Sequence, residues 1–285
     1  MPLDTNRFKA IIDYYDKTRF DYNVAWDSSE FPAVHFGFYD ENADKHSDAL
    51  QNTNQVLANL ARVKAGDYVL DAGCGRGGSC FWLAQNRRAK TIGITPVQSQ
   101  IDECRQNAID RKLEAQCQFE LADYCHTPFK DEQFDVIWAC ESLCHADQKR
   151  DFYQEAFRLL RPGGRLVMAE YMRRHRPLSD DDERLLMSWL NGWAIKDIDS
   201  RSEHLQHAQA VGFTAVDIQD VTSAVRTSLR NLHRNSTNWL WFSHLLRLLR
   251  LRTTTQHINQ RASIHQYEAL ERGSWTYNTL TAQKP

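Results

Sequence analysis

Residues 69–78 read Val-Leu-Asp-Ala-Gly-Cys-Gly-Arg-Gly-Gly, and they decide the fold of this 285-residue chain. An apolar run ends in Asp71 and continues into three alternating glycines, Gly73, Gly75 and Gly77. Glycine adopts positive φ angles easily and lets the backbone approach a ligand closely, and a helix that begins here presents unpaired N–H groups. The stretch therefore predicts a strand that turns tightly into a helix and forms a nucleotide-cofactor site.

Asp71 indicates which kind of cofactor this turn binds. In the dinucleotide fingerprint G-x-G-x-x-G, a pyrophosphate lies at the helix N-terminus. Here the spacing is G-x-G-x-G, and a carboxylate stands two residues before the first glycine. A carboxylate repels a pyrophosphate and suits a cation. The alternative interpretation is an ordinary glycine-rich turn with an unrelated acid.

The Asp-x-Gly-x-Gly-x-Gly pattern resembles that of class I methyltransferases, and the resemblance extends over about residues 8–171. It implies S-adenosylmethionine as the cofactor, with Asp71 near the methionyl ammonium of that ligand. The stretch Gly93-Ile94-Thr95 carries a threonine where many members of the family have an acid that binds the ribose. Together with Gln100, this form resembles the tocopherol, sterol and cyclopropane-fatty-acid methyltransferases.

Strand-like and helix-like segments alternate along most of the chain. Strands are predicted at 68–71, 89–94, 116–121, 134–139, 165–171 and 215–218. Alternation with helices indicates an α/β fold with a parallel sheet and helices on both faces. The family resemblance implies that the sheet is Rossmann-like, seven-stranded and mostly parallel. We expect an N-terminal lid (1–48), a cofactor-binding core (49–171), a helical acceptor cap (172–209) and the remainder of the sheet with an arginine-rich helical segment (210–285).

Composition excludes several classes of protein. With 42% hydrophobic residues, the chain can bury one substantial core. Its seven cysteines form no C-x-x-C pair, which argues against a disulfide framework and against a metal site. No signal-like or membrane-spanning apolar run is visible, so we expect a cytoplasmic protein with reduced thiols.

The family resemblance also assigns residues to the cofactor. Asp123 follows the third strand, where an acid accepts a hydrogen bond from the adenine amino group; capping a helix is its alternative role. Tyr15 lies in a predicted helix over 6–26 and would contact the sulfonium through a cation–π interaction, or would only pack that helix on the sheet. The predicted cofactor-binding residues are Tyr15, Asp71, Gly73, Gly75, Gly77, Thr95, Gln100, Asp123, Tyr124 and Glu141.

Two residues after strand ends are candidates for catalysis. His145 is the predicted general base, because an imidazole titrates near pH 6.5 and accepts a proton from an acceptor at neutral pH. A structural histidine is the alternative. Glu170 ends the fifth strand and would orient His145 or bind a cationic acceptor, or would be a strand-end acid bound to backbone amides.

Aromatic residues outside the core predict the acceptor site. The stretch 35–39, His-Phe-Gly-Phe-Tyr, resembles the His-His-Gly-Phe-Tyr lid of tocopherol-type methyltransferases, with Phe36 in place of the second histidine. In the cap, two tryptophans at helical spacing line an aromatic pocket or pack a helix face. The predicted acceptor contacts are His35, Tyr39, Trp189 and Trp193.

Residues 221–267 contain seven arginines and no lysine or acid. Three interpretations stay open: an interfacial membrane helix, an anion-binding cap, and a core helix whose arginines pair with the acids at 180–183. The third is the main expectation. The chain has no overall positive balance and no recognised nucleic-acid module, which argues against a nucleic-acid partner.

These observations predict a methyltransferase that uses S-adenosylmethionine and acts on an oxygen, nitrogen or carbon atom of a small organic acceptor. One alternative is a C-methyltransferase of a lipid, isoprenoid or prenyl diphosphate, with the diphosphate bound by Arg226, Arg230 and Arg234. Another is a cofactor-binding protein without turnover. Neither the acceptor nor the oligomeric state follows from the residues.

Overall fold

The computed structural model describes residues 8–25, 32–41 and 43–285. Parts of the predicted lid, residues 1–7, 26–31 and 42, lie outside these ranges. The helices are α1 (Lys9–Ala25), α2 (His46–Leu60), α3 (Gly78–Arg87), α4 (Gln98–Asp110), α5 (Lys149–Leu159), α6 (Asp180–Gly192), α7 (Arg201–Ala210), α8 (Thr222–Asn238), α9 (Leu240–Leu248) and α10 (Thr254–Glu271). The strands are β1 (Tyr68–Ala72), β2 (Lys90–Thr95), β3 (Cys117–Leu121), β4 (Phe134–Cys140), β5 (Leu160–Arg173), β6 (Thr214–Asp220) and β7 (Trp275–Gln283).

The seven strands form one sheet in the order β3-β2-β1-β4-β5-β7-β6. Strands β1 to β5 pair in parallel, whereas β7 is antiparallel to both β5 and β6. The predicted mostly parallel α/β fold is confirmed. Because the first five strands run in one direction, their carboxyl ends meet at a single edge, where ligands bind in sheets of this kind.

Strand β7 inserts between β5 and β6 and is buried on both faces, as the run of apolar and small polar residues from Trp275 to Ala282 requires. It pairs with β5 over nine residues, from Arg165 with Gln283 to Arg173 with Trp275. The last strand of the described chain therefore completes the core beside β5, which carries Glu170 and Tyr171.

Helices α1, α8, α9 and α10 cover the carboxyl edge of the sheet. Several polar contacts join α1 to the segment around α10, including a hydrogen bond of 3.3 Å from Asn259 to Asp21. The Arg252 guanidinium donates to both carboxylate oxygens of Asp21 at 2.9 and 2.8 Å, and the Tyr14 hydroxyl donates to Asn259 at 2.7 Å. Within the described residues, no helix has the length and hydropathy needed to cross a bilayer.

Candidate active site

The glycine turn after β1 combines one crowded position with one open position. Gly73, Gly75 and Gly77 all have positive φ angles, of 100°, 51° and 84°. A Cβ atom added to Gly73 would lie 2.3 Å from Cβ of Ser142, whereas a Cβ atom on Gly75 would meet nothing within 4 Å. The turn is thus tight where it meets the β4 end and leaves room beside Gly75 for a ligand.

We expect Gly73→Ala to destabilise the fold more than Gly66→Ala does. Gly66 also has a positive φ, of 87°, but an added Cβ there meets no atom within 4 Å. Both variants incur the left-handed backbone penalty of about 1–2 kcal/mol. Only Gly73→Ala adds overpacking against Ser142, about 1–3 kcal/mol more.

Urea unfolding of the two variants gives this difference directly. Ser142 is anchored, because its hydroxyl donates to the carbonyl oxygen of Ala72. Equal losses in the two variants would contradict the argument and would mean that Ser142 moves aside.

Asp71 lies in β1 and is 2% exposed. The Cys80 thiol donates a hydrogen bond to Asp71 Oδ2 at 3.4 Å. Burial raises the pKa of Asp71 to about 7. A thiol is a weak donor and stabilises the charged form of Asp71 only a little. A cationic group bound beside this carboxylate would favour the charged form and lower the pKa of Asp71.

The ends of β2 and β3 carry the other predicted cofactor residues. The Thr95 hydroxyl donates to Oε1 of Gln100 at 2.8 Å, and Gln100 borders a small cavity together with Tyr15. Asp123 Oδ1 accepts from the backbone N–H of Cys125 at 2.8 Å. The Tyr124 hydroxyl donates to the carbonyl oxygen of Ser142 at 2.8 Å.

Glu141 joins three separate parts of the chain. Its carboxylate accepts from the Phe36 backbone N–H at 2.7 Å, from the Tyr277 hydroxyl at 2.7 Å, and from the Tyr171 hydroxyl. Burial raises the pKa of Glu141 to about 7, although these hydrogen bonds act in the opposite direction. The carboxylate thereby fixes Phe36 and Tyr171, which line a cavity, and ties them to Tyr277 in β7. Its predicted contact with the cofactor stays a prediction.

His145 closes a short 3-10 helix (Leu143–His145) after β4 and lines the cavity. Its Nε2 atom lies 3.1 Å from the Tyr15 hydroxyl. Burial lowers the pKa of His145 to about 4, so the imidazole is neutral at physiological pH. A neutral imidazole in this position is able to accept a proton.

Glu170 lies behind the segment that carries His145. It accepts hydrogen bonds from the backbone N–H groups of Cys144 and Tyr171, both at 2.9 Å, and burial raises its pKa to about 8. It is not among the residues that line the cavity. The prediction that Glu170 ends the fifth strand is wrong, because β5 continues to Arg173 through its pairing with β7. The two backbone partners of Glu170 match the alternative role of an acid bound to backbone amides, and they hold the backbone next to His145.

The cavity at the carboxyl edge has a volume of about 660 Å³. Aromatic residues surround the end near His145: Tyr15, Phe36, Tyr171 and Trp193. Helices α8 and α10 supply amides and hydroxyls to its wall, namely Ser228, Asn231, Asn235, Ser236, Asn259, Gln260 and Ser263. The cavity is thus aromatic at one end and rich in neutral hydrogen-bonding groups along another wall.

The predicted acceptor contacts are only partly brought together. Trp193 lines the cavity. Trp189 is fully buried against Tyr171 and Trp275, with ring centroids 5.4 and 4.9 Å apart, so it is not placed to contact an acceptor. His35 and Tyr39 also lie outside the lining residues.

Both lid residues have partners within the protein. His35 Nδ1 lies 3.1 Å from the carbonyl oxygen of Phe36 and its Nε2 lies 3.3 Å from Asn54, while burial lowers its pKa to about 4. The Tyr39 hydroxyl lies 3.3 Å from Nδ1 of His46. Phe36, the residue that departs from the family pattern, is the one that reaches the cavity.

The sequence analysis missed the residues of α8 and α10 that face the cavity. Among residues 172–209, which were expected to form the acceptor cap, only Trp193 and Ile195 line it. The apolar face of α6 instead packs against α10 and the sheet. A signal was present, because Asn231 and Asn235 recur at the spacing of one helix face.

The main expectation for the arginine-rich segment is wrong. In the described structure, no ion pair joins an arginine of 221–267 to residues 180–183, since Glu183 pairs with Arg173 and Asp182 with Arg272. Arg252 pairs with Asp21, and Arg226 with Glu271. Helix α9 is not a core helix either, because most of its large side chains face solvent.

The predicted diphosphate ligands are dispersed. Of Arg226, Arg230 and Arg234, only Arg234 lines the cavity. Among the described residues, no group of three or more histidine, cysteine, aspartate or glutamate side chains is arranged to hold a metal ion.

Comparison with known proteins identifies the class to which this fold and site belong. A family model described as a methyltransferase domain matches residues 70–168. Methyltransferase GfsG of Streptomyces halstedii is 30% identical over 76% of this chain and 77% of its own length. The chain therefore belongs to the S-adenosylmethionine-dependent methyltransferases.

Its relatives include several enzymes with small-molecule acceptors. The 27-O-demethylrifamycin SV methyltransferase of Amycolatopsis mediterranei is 29% identical over 88% of this chain and 90% of its own length. A 24-methylenesterol C-methyltransferase of Arabidopsis thaliana is 30% identical, but the chain spans only 50% of that relative. The crystal structure of the cyclase SpnF has the same fold, with a TM-score of 0.79 at 24% identity over 96% of this chain and 95% of SpnF.

Proposed function

We propose that this methyltransferase methylates a hydroxyl oxygen of a mainly apolar acceptor that carries further polar groups. The observation that carries the proposal is the neutral His145, paired with Tyr15, at the aromatic end of a cavity of about 660 Å³. A hydroxyl must lose its proton when its oxygen is methylated, and the unprotonated ring of His145 offers a proton acceptor at this end of the cavity.

The residues at the glycine turn fit S-adenosylmethionine. When bound, this cofactor supplies a sulfonium methyl group whose leaving group is a neutral thioether. Asp71 would bind the methionyl ammonium, because a buried carboxylate with a raised pKa gains most from a cation. Asp123 would accept a hydrogen bond from the adenine amino group, while Thr95, Gln100, Tyr124 and the open side of Gly75 would border the nucleoside.

The acceptor would occupy the large cavity. Tyr15, Phe36, Tyr171 and Trp193 would exclude water from the reacting atoms and hold an apolar part of the acceptor in line with the methyl group. Asn231, Asn235 and Gln260 would bind hydroxyl or carbonyl groups farther from the reaction. The 27-O-demethylrifamycin SV methyltransferase, whose name specifies methylation at an oxygen, supports this choice.

We expect S-adenosylmethionine with an isotopically labelled methyl group to label an ether oxygen. The enzyme is incubated with the labelled cofactor and extracts of apolar metabolites. Labelled products are detected by mass spectrometry and isolated. Ether cleavage with hydriodic acid should release the label as methyl iodide, whereas a methyl group on carbon stays in the product. His145→Ala enzyme is the control, because it retains the cavity without the base.

Two results would contradict this proposal. A label that resists ether cleavage would assign methylation to carbon or nitrogen. Product formation that disappears on addition of a chelator and returns with Mg²⁺ would favour the prenyl diphosphate alternative, for which the cavity offers Arg234. Geranyl diphosphate methyltransferase structures share the fold, with a TM-score of 0.72 at 21% identity.

A further inference from the structure

Helix α9 and its flanking residues expose an apolar face to solvent. Trp241 is 67% exposed, Leu248 is 64% exposed and Leu251 is 73% exposed. Residues 241, 245 and 248 recur at the spacing of one helix face. The exposed apolar residues of this region are Trp239, Trp241, Phe242, Leu245, Leu248, Leu249 and Leu251, and we call them the α9 face. A contiguous apolar surface of this kind marks a binding site.

The charged side chains within the α9 face are arginines, and the neighbouring acid Asp21 is already paired with Arg252. Arg247 and Arg250 lie among the leucines of the α9 face, and residues 221–267 contain no acid. Neither arginine forms an ion pair with any residue that the structure describes. Tryptophan and leucine beside arginine are typical of helices that lie in a membrane interface, where the rings sit at the headgroup level.

The α9 face is continuous with the cavity. Trp239 and Phe242 are exposed members of the face and also line the cavity, and Leu246 lines it from the same helix. Whatever covers the α9 face therefore lies next to the proposed acceptor site.

We propose that the α9 face docks on an anionic lipid surface. Its tryptophans and leucines would enter the boundary between headgroups and acyl chains, while Arg247 and Arg250 would bind lipid phosphates. The consequence for the acceptor depends on the proposed function: an apolar acceptor dissolved in the lipid would reach the cavity along Trp239 and Phe242 without crossing water.

The charges argue against a second copy of the chain as the occupant. A symmetric contact brings the same patch of both copies together. Two α9 faces would then place Arg247 and Arg250 of both copies close together without an acid from 221–267 to compensate. An anionic lipid surface supplies the missing negative charge.

The test is sedimentation of the purified full chain with vesicles, without cofactor or acceptor. We expect binding to vesicles of phosphatidylcholine and phosphatidylglycerol in equal amounts, and weaker binding to phosphatidylcholine alone. High salt should weaken binding to the mixed vesicles, because it screens the arginines. Because the measurement needs no turnover, its failure is distinguishable from failure of the proposed O-methylation.

Two pairs of substitutions separate the apolar and the charged contributions. Trp241→Gln with Leu248→Gln should lower the partition coefficient at least about tenfold, since each side chain buries apolar surface. Arg247→Gln with Arg250→Gln should lower it about tenfold for mixed vesicles and leave neutral vesicles nearly unaffected. The matched control is Ile109→Gln on α4, because Ile109 is 57% exposed but belongs to a different surface.

The proposal is overturned if the full chain stays in the supernatant with mixed vesicles at low salt. It is equally overturned if Ile109→Gln lowers binding as much as the α9 substitutions do. A concentration-dependent dimer that Trp241→Gln dissociates, without vesicle binding, would assign the α9 face to a second copy of the chain. None of the four substituted residues on α9 and its flank lines the cavity, so folded variants keep the acceptor site.

Discussion

Replacing His145 with alanine should lower kcat by about 10²–10⁴-fold and leave the Kd for S-adenosylmethionine nearly unchanged. The imidazole lines the acceptor cavity and is neutral because burial lowers its pKa to about 4. It is therefore placed to remove a proton from the acceptor. Single-turnover rates at saturating cofactor separate this effect from binding.

The pH dependence follows from the same pKa. The base acts in its neutral form, so the rate should fall as pH decreases through about 4 and should show no step near the ordinary histidine value of 6.5. A rate that halves near pH 6.5 would mean that a more exposed base removes the proton.

In the proposed reaction, Tyr15 would decide how the proton reaches His145. Its hydroxyl lies 3.1 Å from Nε2, so an acceptor either displaces it or passes its proton through it. If the tyrosine relays the proton, Tyr15→Phe should reduce kcat about as strongly as His145→Ala does. If the acceptor displaces it, Tyr15→Phe should keep most of the turnover.

His204 offers a matched control. It is also buried, its pKa is lowered to about 3 by burial, and its Nδ1 atom lies 2.8 Å from the Tyr153 hydroxyl, away from the cavity. His204→Ala should reduce stability without reducing turnover per folded molecule. Unchanged turnover in folded His145→Ala enzyme would assign His145 to structure and leave alignment of the reactants as the source of catalysis.

The Asp71→Asn variant should bind S-adenosylmethionine about 150- to 4,000-fold more weakly, because loss of one partner from a buried charge pair costs about 3–5 kcal/mol. Calorimetry with S-adenosylhomocysteine should show the same loss, since both ligands carry the ammonium. Binding at neutral pH should also release a proton from the wild-type protein, because the raised pKa of about 7 falls when the cation arrives.

A ligand without the ammonium provides the control for Asp71. 5′-Methylthioadenosine lacks the amino acid part, so Asp71→Asn should leave its affinity unchanged. Asp123→Asn should weaken all three ligands by about tenfold or less, as expected for one hydrogen bond. Equal weakening of all three ligands by Asp71→Asn would show that this residue only supports the turn. We expect no binding of NAD to the wild-type chain.

The predictable part of this protein lies in short stretches of sequence. The turn after β1 requires positive φ angles at Gly73, Gly75 and Gly77. Glycine adopts such angles easily, so the requirement is visible in the sequence as three glycines at alternate positions. The alternation of strands and helices similarly indicates a parallel sheet, whose carboxyl ends meet at one edge. His145 could be selected as a base because it follows the end of β4.

The sequence by itself determined the parallel strands, the cofactor turn and the residues that follow those strands, because each depends on local backbone conformation. The insertion of β7 between β5 and β6 was not predicted. Only the tertiary structure decided which helices form the acceptor cavity and which side chains are used internally. Glu141 takes its partners from Phe36, Tyr171 and Tyr277, three positions far apart in the chain. Periodicity shows that α6 and α9 each have an apolar face but not what covers it, and packing buries the first and leaves the second in solvent.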